Sequence, residues 1–105
     1  MILLNVLCSS MQQAHDLAEV LLLEHLWVDA FIGEEGQLMK RRKKETLEET
    51  RVKVQGMTRA VLYDRVNQRI RELYPYDMPI LYAVPIVSMD WEQNEHLLKD
   101  TSEEE

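Results

Sequence analysis

The order of hydrophobic and polar positions along the chain predicts alternating strands and amphipathic helices. Residues 2–7 form an apolar run of the length typical of a short buried strand. Ser9 or Ser10 can then cap a helix. Its apolar positions recur at the spacing of one helix face, at Ala14, Leu17, Ala18, Leu21 and Leu22. Gln13 is among the polar positions, which we expect to face away from the core.

A second strand is predicted at residues 27–32, where aromatic and β-branched residues are concentrated. Gly33 and Gly36 then predict its end, because glycine favours turns over strand interiors. The chain becomes highly charged at residues 37–50, and we expect an exposed arm there.

A third strand and a second helix follow the charged arm. Residues 51–55 alternate polar and apolar positions, as in a strand with one buried face, and Gly56 is expected to end that strand. Thr58 can cap the helix behind it. The apolar stripe of that helix consists of Leu62, Val66, Ile70 and Leu73.

A double-proline elbow at residues 74–79 separates this helix from the last strand. Pro75 and Pro79 cannot continue a helix, and the apolar run 80–87 behind them predicts a strand buried on both faces. Asp90 then opens a short closing helix. The resulting order, βαββαβ with a helical appendix, predicts an α+β ferredoxin-like sandwich in a single domain over residues 1–100, followed by a disordered acidic tail at 101–105.

In that arrangement the last strand lies at an edge of the sheet. An edge strand tolerates Pro85, which lacks a backbone N–H. Two helices cover only one face of a sheet, however, and the strand is apolar at consecutive positions. We therefore expect a second copy of the chain to cover it.

Composition narrows the classes of function. The 105 residues carry 12 Lys and Arg against 19 Asp and Glu, a net charge of −7, which disfavours nucleic acid and anionic membranes as partners. Cys8 is the single cysteine, which fits a reducing compartment. Because the opening apolar run is short and has no basic residue before it, we expect no export signal and a cytoplasmic protein.

The residue patterns give no positive support for catalysis. The histidines His15, His25 and His96 have no metal-ligand spacing, and the three glycines are scattered. The basic run 40–44 is typical of a solvated arm, and it is also a candidate for binding an anion. For the aromatic residues near the elbow, including Tyr82 and Trp91, we expect packing under the closing helix.

The elbow and the strand behind it carry a resemblance to a known family. The segment Tyr74-Pro75-Tyr76-Asp77-Met78-Pro79, followed by an apolar strand that contains Val84-Pro85, resembles the CutA family of divalent-cation tolerance proteins. The first strand, ending at Cys8, and the helix behind it are similar to the start of the family. The chain departs from the family pattern in three places: Tyr74 replaces a histidine, Asp29 replaces a cysteine, and the basic segment 39–44 replaces an aromatic hairpin.

This resemblance implies a ferredoxin-like homotrimer in which the long charged hairpin reaches a neighbour. It also implies an association with copper or another divalent cation, for which Cys8 is the matched ligand and Tyr74 occupies the position of the family histidine. The interface or ligand candidates are Lys40, Arg41, Arg42, Tyr76, Asp77, Tyr82 and Trp91. We expect a non-enzymatic protein of metal tolerance or a signalling adaptor, with no certain cofactor. The alternative is a PII-like or ACT-like sensor that binds a small anionic ligand between subunits.

Overall fold

Strands and helices alternate along residues 1–101, the part of the chain that the computed structural model describes. The elements are β1 (Ile2–Cys8), α1 (Met11–Leu23), β2 (Phe31–Arg42), β3 (Glu45–Thr58), α2 (Tyr63–Leu73), β4 (Ile80–Pro85) and α3 (Trp91–Asp100). A 3₁₀ turn at Ala60–Leu62 precedes α2. The order βαββαβ with a closing helix is confirmed.

The strands form one antiparallel sheet in the order β2-β3-β1-β4. This is the ferredoxin-like topology, with β1 and β3 in the centre. Strand β4 lies at the edge, as the position of Pro85 predicts.

The core lies between the helices and one face of the sheet. The central strands contribute Leu4, Val6, Cys8, Val52 and Val54, and the helices contribute Ala14, Leu17, Leu21, Val66 and Ile70. Both predicted helix stripes therefore face the core. Helix α1 begins where the sequence indicates, because the Ser10 hydroxyl accepts a hydrogen bond from the Gln13 N–H at 3.1 Å.

The second strand does not lie where the aromatic and β-branched run predicted it. Strand β2 begins at Phe31 rather than at residue 27, and Gly33 and Gly36 lie inside it rather than at its end. The register shifts between Ile32 and Glu35, so the sheet accommodates Gly33 in a bulge. Trp27 lies in the loop before β2 as a fully buried core residue.

Gly56 and Thr58 were also assigned wrongly from the sequence. Both lie within β3, paired with Leu4 and Ile2 of β1. Thr58 is buried, and the 3₁₀ turn that leads into α2 follows Arg59 without a side-chain cap. The register of β1 against β3 therefore extends through residues that local signals assign to a turn.

The charged arm is a regular β-hairpin between β2 and β3, which confirms the long charged hairpin expected there. Strand β1 ends at Cys8, which pairs with Val52 of β3. Residues 37–50 therefore extend β2 and β3 beyond the end of β1 as a two-stranded ribbon. Lys43 and Lys44 form its two-residue turn, in which Lys43 has a φ of 57°. Side chains other than glycine and asparagine rarely adopt this left-handed conformation.

Strand β4 is not buried on both faces, contrary to the prediction from its apolar run. Leu81 and Ala83 pack against the core. Tyr82 and Val84 point to the other face of the sheet, where they are 43% and 40% exposed. Phe31 on β2 lies on the same face and is 70% exposed. Its face follows from the strand pairings across the sheet, in which Phe31 pairs with Gln55, Gln55 with Asn5, and Asn5 with Tyr82.

Helix α3 closes the end of the sheet at which β3 finishes. Asp90 caps it by accepting a hydrogen bond from the Gln93 N–H at 3.1 Å. The Arg59 guanidinium donates to the Leu98 carbonyl oxygen. Thr101 is buried, and its hydroxyl donates to the Leu97 carbonyl oxygen at 2.6 Å. It therefore belongs to the folded domain rather than to the predicted tail. The rest of that tail lies outside the described residues.

Candidate functional site

Hydrogen bonds connect the proline elbow to the start of α1. The Ser9 hydroxyl donates to Asp77 Oδ2 at 2.6 Å, and Gln13 Nε2 donates to the Asp77 carbonyl oxygen at 2.9 Å. The Gln13 side chain also accepts the Ser9 N–H at 2.8 Å. We call Ser9, Gln13 and Asp77 the elbow latch.

Gln13 is the residue of this latch that the helix pattern assigned wrongly. It is 6% exposed, although its position on α1 predicted a solvent-facing side chain. Its side-chain amide both donates and accepts a hydrogen bond, so the burial of this polar group does not leave it without partners, which would cost stability. The partners are 64 residues apart in the chain.

Cys8 lies next to this latch at the end of β1 and is fully buried. Burial raises the pKa of its thiol to about 11; the Arg51 charge opposes this shift and the Asp77 carboxylate adds to it. The Arg51 guanidinium donates to the Leu7 carbonyl oxygen at 3.2 Å and pairs with Glu49. At neutral pH Cys8 is therefore a protonated thiol.

Tyr74, at the end of α2, packs against the same core cluster as Cys8. Burial raises the pKa of its phenol, and Asp16, Cys8 and Asp77 raise it further. The candidates Cys8, Tyr74 and Asp77 therefore lie in one neighbourhood at the elbow end of the sheet.

These residues do not fit a metal centre within one subunit. Metal ions bind the thiolate and phenolate forms, so metal binding at Cys8 or Tyr74 would have to displace a proton, and burial, which raises the pKa of both groups, makes that step more costly. The Asp77 carboxylate already accepts hydrogen bonds from Ser9 and Gln13. Over residues 1–101, no group of three histidine, cysteine or acidic side chains could hold a metal ion.

The basic candidates lie on the hairpin, away from the elbow. Lys40 pairs with Glu49 at 2.6 Å, and this hydrogen bond, with a second from Arg51, lowers the pKa of the Glu49 carboxyl. Arg41 and Arg42 are exposed and make no ion pair with any residue in the described range. The structure therefore separates these cations from Cys8 and Tyr74.

The aromatic candidates are exposed and do not pack under the closing helix, contrary to the prediction. Tyr76 is 100% exposed on the elbow, and Trp91 is 73% exposed at the start of α3. Tyr82 lies on the outer face of the sheet. Such exposure leaves these side chains available for contacts between molecules.

Comparisons with known proteins agree on one family. The family model of the CutA1 divalent ion tolerance protein matches residues 2–98. No curated protein sequence matches the chain.

Solved structures resemble the fold closely at low sequence identity. CutA1 from Oryza sativa has a TM-score of 0.89 at 20% identity, with 97% of this chain and 94% of that chain covered. The divalent cation tolerance protein from Thermus thermophilus has a TM-score of 0.88 at 22% identity, with 97% and 100% covered. The protein from Archaeoglobus fulgidus, described as a periplasmic divalent cation tolerance protein, has a TM-score of 0.87 at 17% identity, with 97% and 100% covered.

None of the helices in residues 1–101 has the length and apolar character needed to cross a membrane. The family match extends over nearly the whole described chain, and the sheet order agrees with it. The chain belongs to the CutA1 divalent ion tolerance protein family.

Proposed function

We propose that this protein acts in divalent-cation tolerance as a non-enzymatic ring of three copies. The observation that carries the proposal is the uncovered outer face of the sheet, where Phe31, Tyr82 and Val84 are exposed together with the free edge of β4. An exposed apolar edge strand invites pairing with another chain, and soluble proteins rarely leave one uncovered.

The two edges of the sheet favour a ring over a symmetric pair. One edge is the long β2 with its hairpin and the other is the short β4, so a contact between unlike edges is head-to-tail. Head-to-tail contacts that close produce cyclic assemblies. A two-stranded ribbon such as residues 37–50 is also marginally stable alone and gains stability from a neighbour.

We propose further that the role in cation tolerance depends on the assembly and on a protein partner rather than on a copper site within one subunit. The support is the donor set: within residues 1–101 no group of three histidine, cysteine or acidic side chains could hold a metal ion, and Cys8 and Tyr74 would each have to lose a proton to bind one. The test is calorimetric titration of the purified protein with Cu²⁺ and with Zn²⁺, for wild type and Cys8→Ala. We expect the two proteins to give the same isotherms, whereas binding that is lost in Cys8→Ala would establish a metal site at Cys8.

An alternative function, sensing of a small anion, is favoured by the unpaired Arg41 and Arg42 on the hairpin. A pair of guanidinium groups is well suited to phosphate or carboxylate. Titration with nucleotides would test it. Nucleotide binding that disappears when Arg41 and Arg42 are both changed to glutamine would support anion sensing and contradict the proposed role through a protein partner.

A further inference from the structure

The proline elbow is joined to the rest of the subunit by side chains rather than by its backbone. Both of its prolines lack an N–H to donate, and residues 75–79 make no backbone-to-backbone hydrogen bond within the described part of the chain. Tyr76 is fully exposed, so it adds no packing. The elbow latch therefore supplies the hydrogen bonds that hold this segment to α1.

Both ends of the elbow are fixed, which limits any movement to the residues between them. At one end, the Tyr74 N–H donates to a carbonyl oxygen in the last turn of α2 at 3.0 Å. At the other end, Pro79 is buried and leads directly into β4. Residues 75–78 connect these two fixed points, and we call them the lid.

The lid adjoins the Cys8 thiol. Cys8 and Pro79 each lie one residue beyond the last matched pair of β1 with β4, on neighbouring strands. Met78 of the lid packs against the core cluster that contains Cys8. Burial raises the pKa of the thiol and the Asp77 carboxylate raises it further, so this residue of the lid also lies close to the sulfur.

The other sides of Cys8 are closed by regular structure. Its strand pairs with β3 at Val52, which is fully buried. The helices cover the core face on which both residues lie, and Cys8 itself has no exposed surface. The lid is therefore the cover of the thiol that is attached by the fewest backbone contacts.

We propose that the lid opens while the sheet stays folded and that it controls the access of small thiol-reactive solutes to Cys8. A segment held by side-chain hydrogen bonds and with little buried surface opens at a lower free energy than the core beneath it. The inference concerns access to the thiol within one subunit and does not depend on the proposed ring.

The single cysteine makes this opening directly measurable. The native protein is mixed with an excess of a nitrobenzoate disulfide reagent at mildly alkaline pH, and the coloured product of its reaction with the thiol is followed. The rate, divided by that of the same chain unfolded in urea, gives the fraction of time for which Cys8 is accessible.

Urea distinguishes lid opening from global unfolding, because only a large exposure of surface responds steeply to denaturant. We expect the wild-type rate to be nearly constant at urea concentrations below the unfolding transition. A rate that rises with urea as steeply as the unfolding equilibrium would show that only the unfolded chain exposes Cys8, and it would overturn the lid.

Two variants separate the latch from general stability. Gln13→Leu removes the bonds to the Ser9 N–H and to the Asp77 carbonyl oxygen, and we expect its thiol to react at least about tenfold faster than that of wild type. Gly56→Ala crowds the Trp27 ring and leaves the latch intact, so we expect the wild-type rate. Equal acceleration of the two variants would contradict the proposal.

A matched pair of variants tests the latch residues themselves. Ser9→Ala removes the hydroxyl that donates to Asp77 at 2.6 Å, and we expect faster reaction of the thiol. Gln12→Leu is the control on the same helix, because the Gln12 amide donates to the Asp16 side chain one turn away, and we expect no change. If neither latch variant reacts faster than Gln12→Leu, the latch does not hold the lid closed and the proposal fails.

Discussion

The indole ring of Trp27 lies directly against the α-carbon of Gly56. A Cβ atom built on Gly56 would lie 2.2 Å from Trp27 Cδ2, far inside van der Waals contact. Trp27 is the largest fully buried side chain in the described part of the chain. The absence of a side chain at position 56 therefore creates the space that the loop before β2 fills with its tryptophan.

Gly56→Ala should destabilise the fold by about 3 kcal/mol, because the added methyl group must displace a buried aromatic ring or the strand beneath it. Urea denaturation followed by tryptophan fluorescence measures this. Gly36→Ala is the matched control, since its Cβ would have nothing within 4 Å. A cost for Gly56→Ala as small as that of the control would contradict the packing described.

Gln13→Leu should lower the free energy of unfolding by about 1–3 kcal/mol, since it leaves the Ser9 N–H and the Asp77 carbonyl oxygen without their partner. Gln12→Leu is the control, because the Gln12 amide bonds only the exposed Asp16 side chain one turn away. Chemical denaturation of both variants at neutral pH makes the comparison. If the two variants lose the same stability, the elbow latch does not hold the elbow to α1.

The Cys8 thiol should make stability depend on pH in the alkaline range. Its pKa is raised from 9.0 to about 11, so the folded state retains a proton that the unfolded chain loses. Its contribution to stability is complete below pH 9 and is lost as pH rises towards 11. Denaturation from pH 8 to pH 11 should show this decline in wild type and a smaller one in Cys8→Ala; identical profiles would contradict the burial of the thiol.

Local pattern was sufficient for the apolar faces of the helices and for the strand order. The period of apolar residues indicates which face of α1 and of α2 is buried, and this period is a local property of the sequence. Pro85 lacks a backbone N–H, which indicates by itself that its strand lies at an edge of the sheet. The exposure of Tyr82 and Val84 also agrees with the expectation that the chain alone does not cover β4.

Features that depend on residues distant in the chain could not be predicted from the local sequence pattern. Gly56 is a turn signal by itself, and only the contact with Trp27 explains a glycine within β3. Gln13 has a polar position on its helix, and only Asp77 explains its burial. The aromatic residues of the elbow were expected to pack within the subunit, whereas Tyr76 is entirely exposed.

Val84→Glu should disrupt the assembly without unfolding the subunit. Val84 is exposed on the outer face of the sheet, so a carboxylate there meets water in the monomer and an apolar neighbour in the ring. Leu23→Glu on α1 is the control, because Leu23 is also exposed but lies on the helical side of the sheet. Sedimentation velocity should show smaller particles for Val84→Glu alone; equal behaviour of the two variants would place the interface elsewhere.

The mass of the wild-type protein in solution tests the central claim most directly. Light scattering coupled to size-exclusion chromatography at micromolar concentration should give three times the chain mass of 12.4 kDa. A stable particle of 12.4 kDa would mean that the outer face of the sheet and the β4 edge remain open to water, and it would contradict the proposed ring.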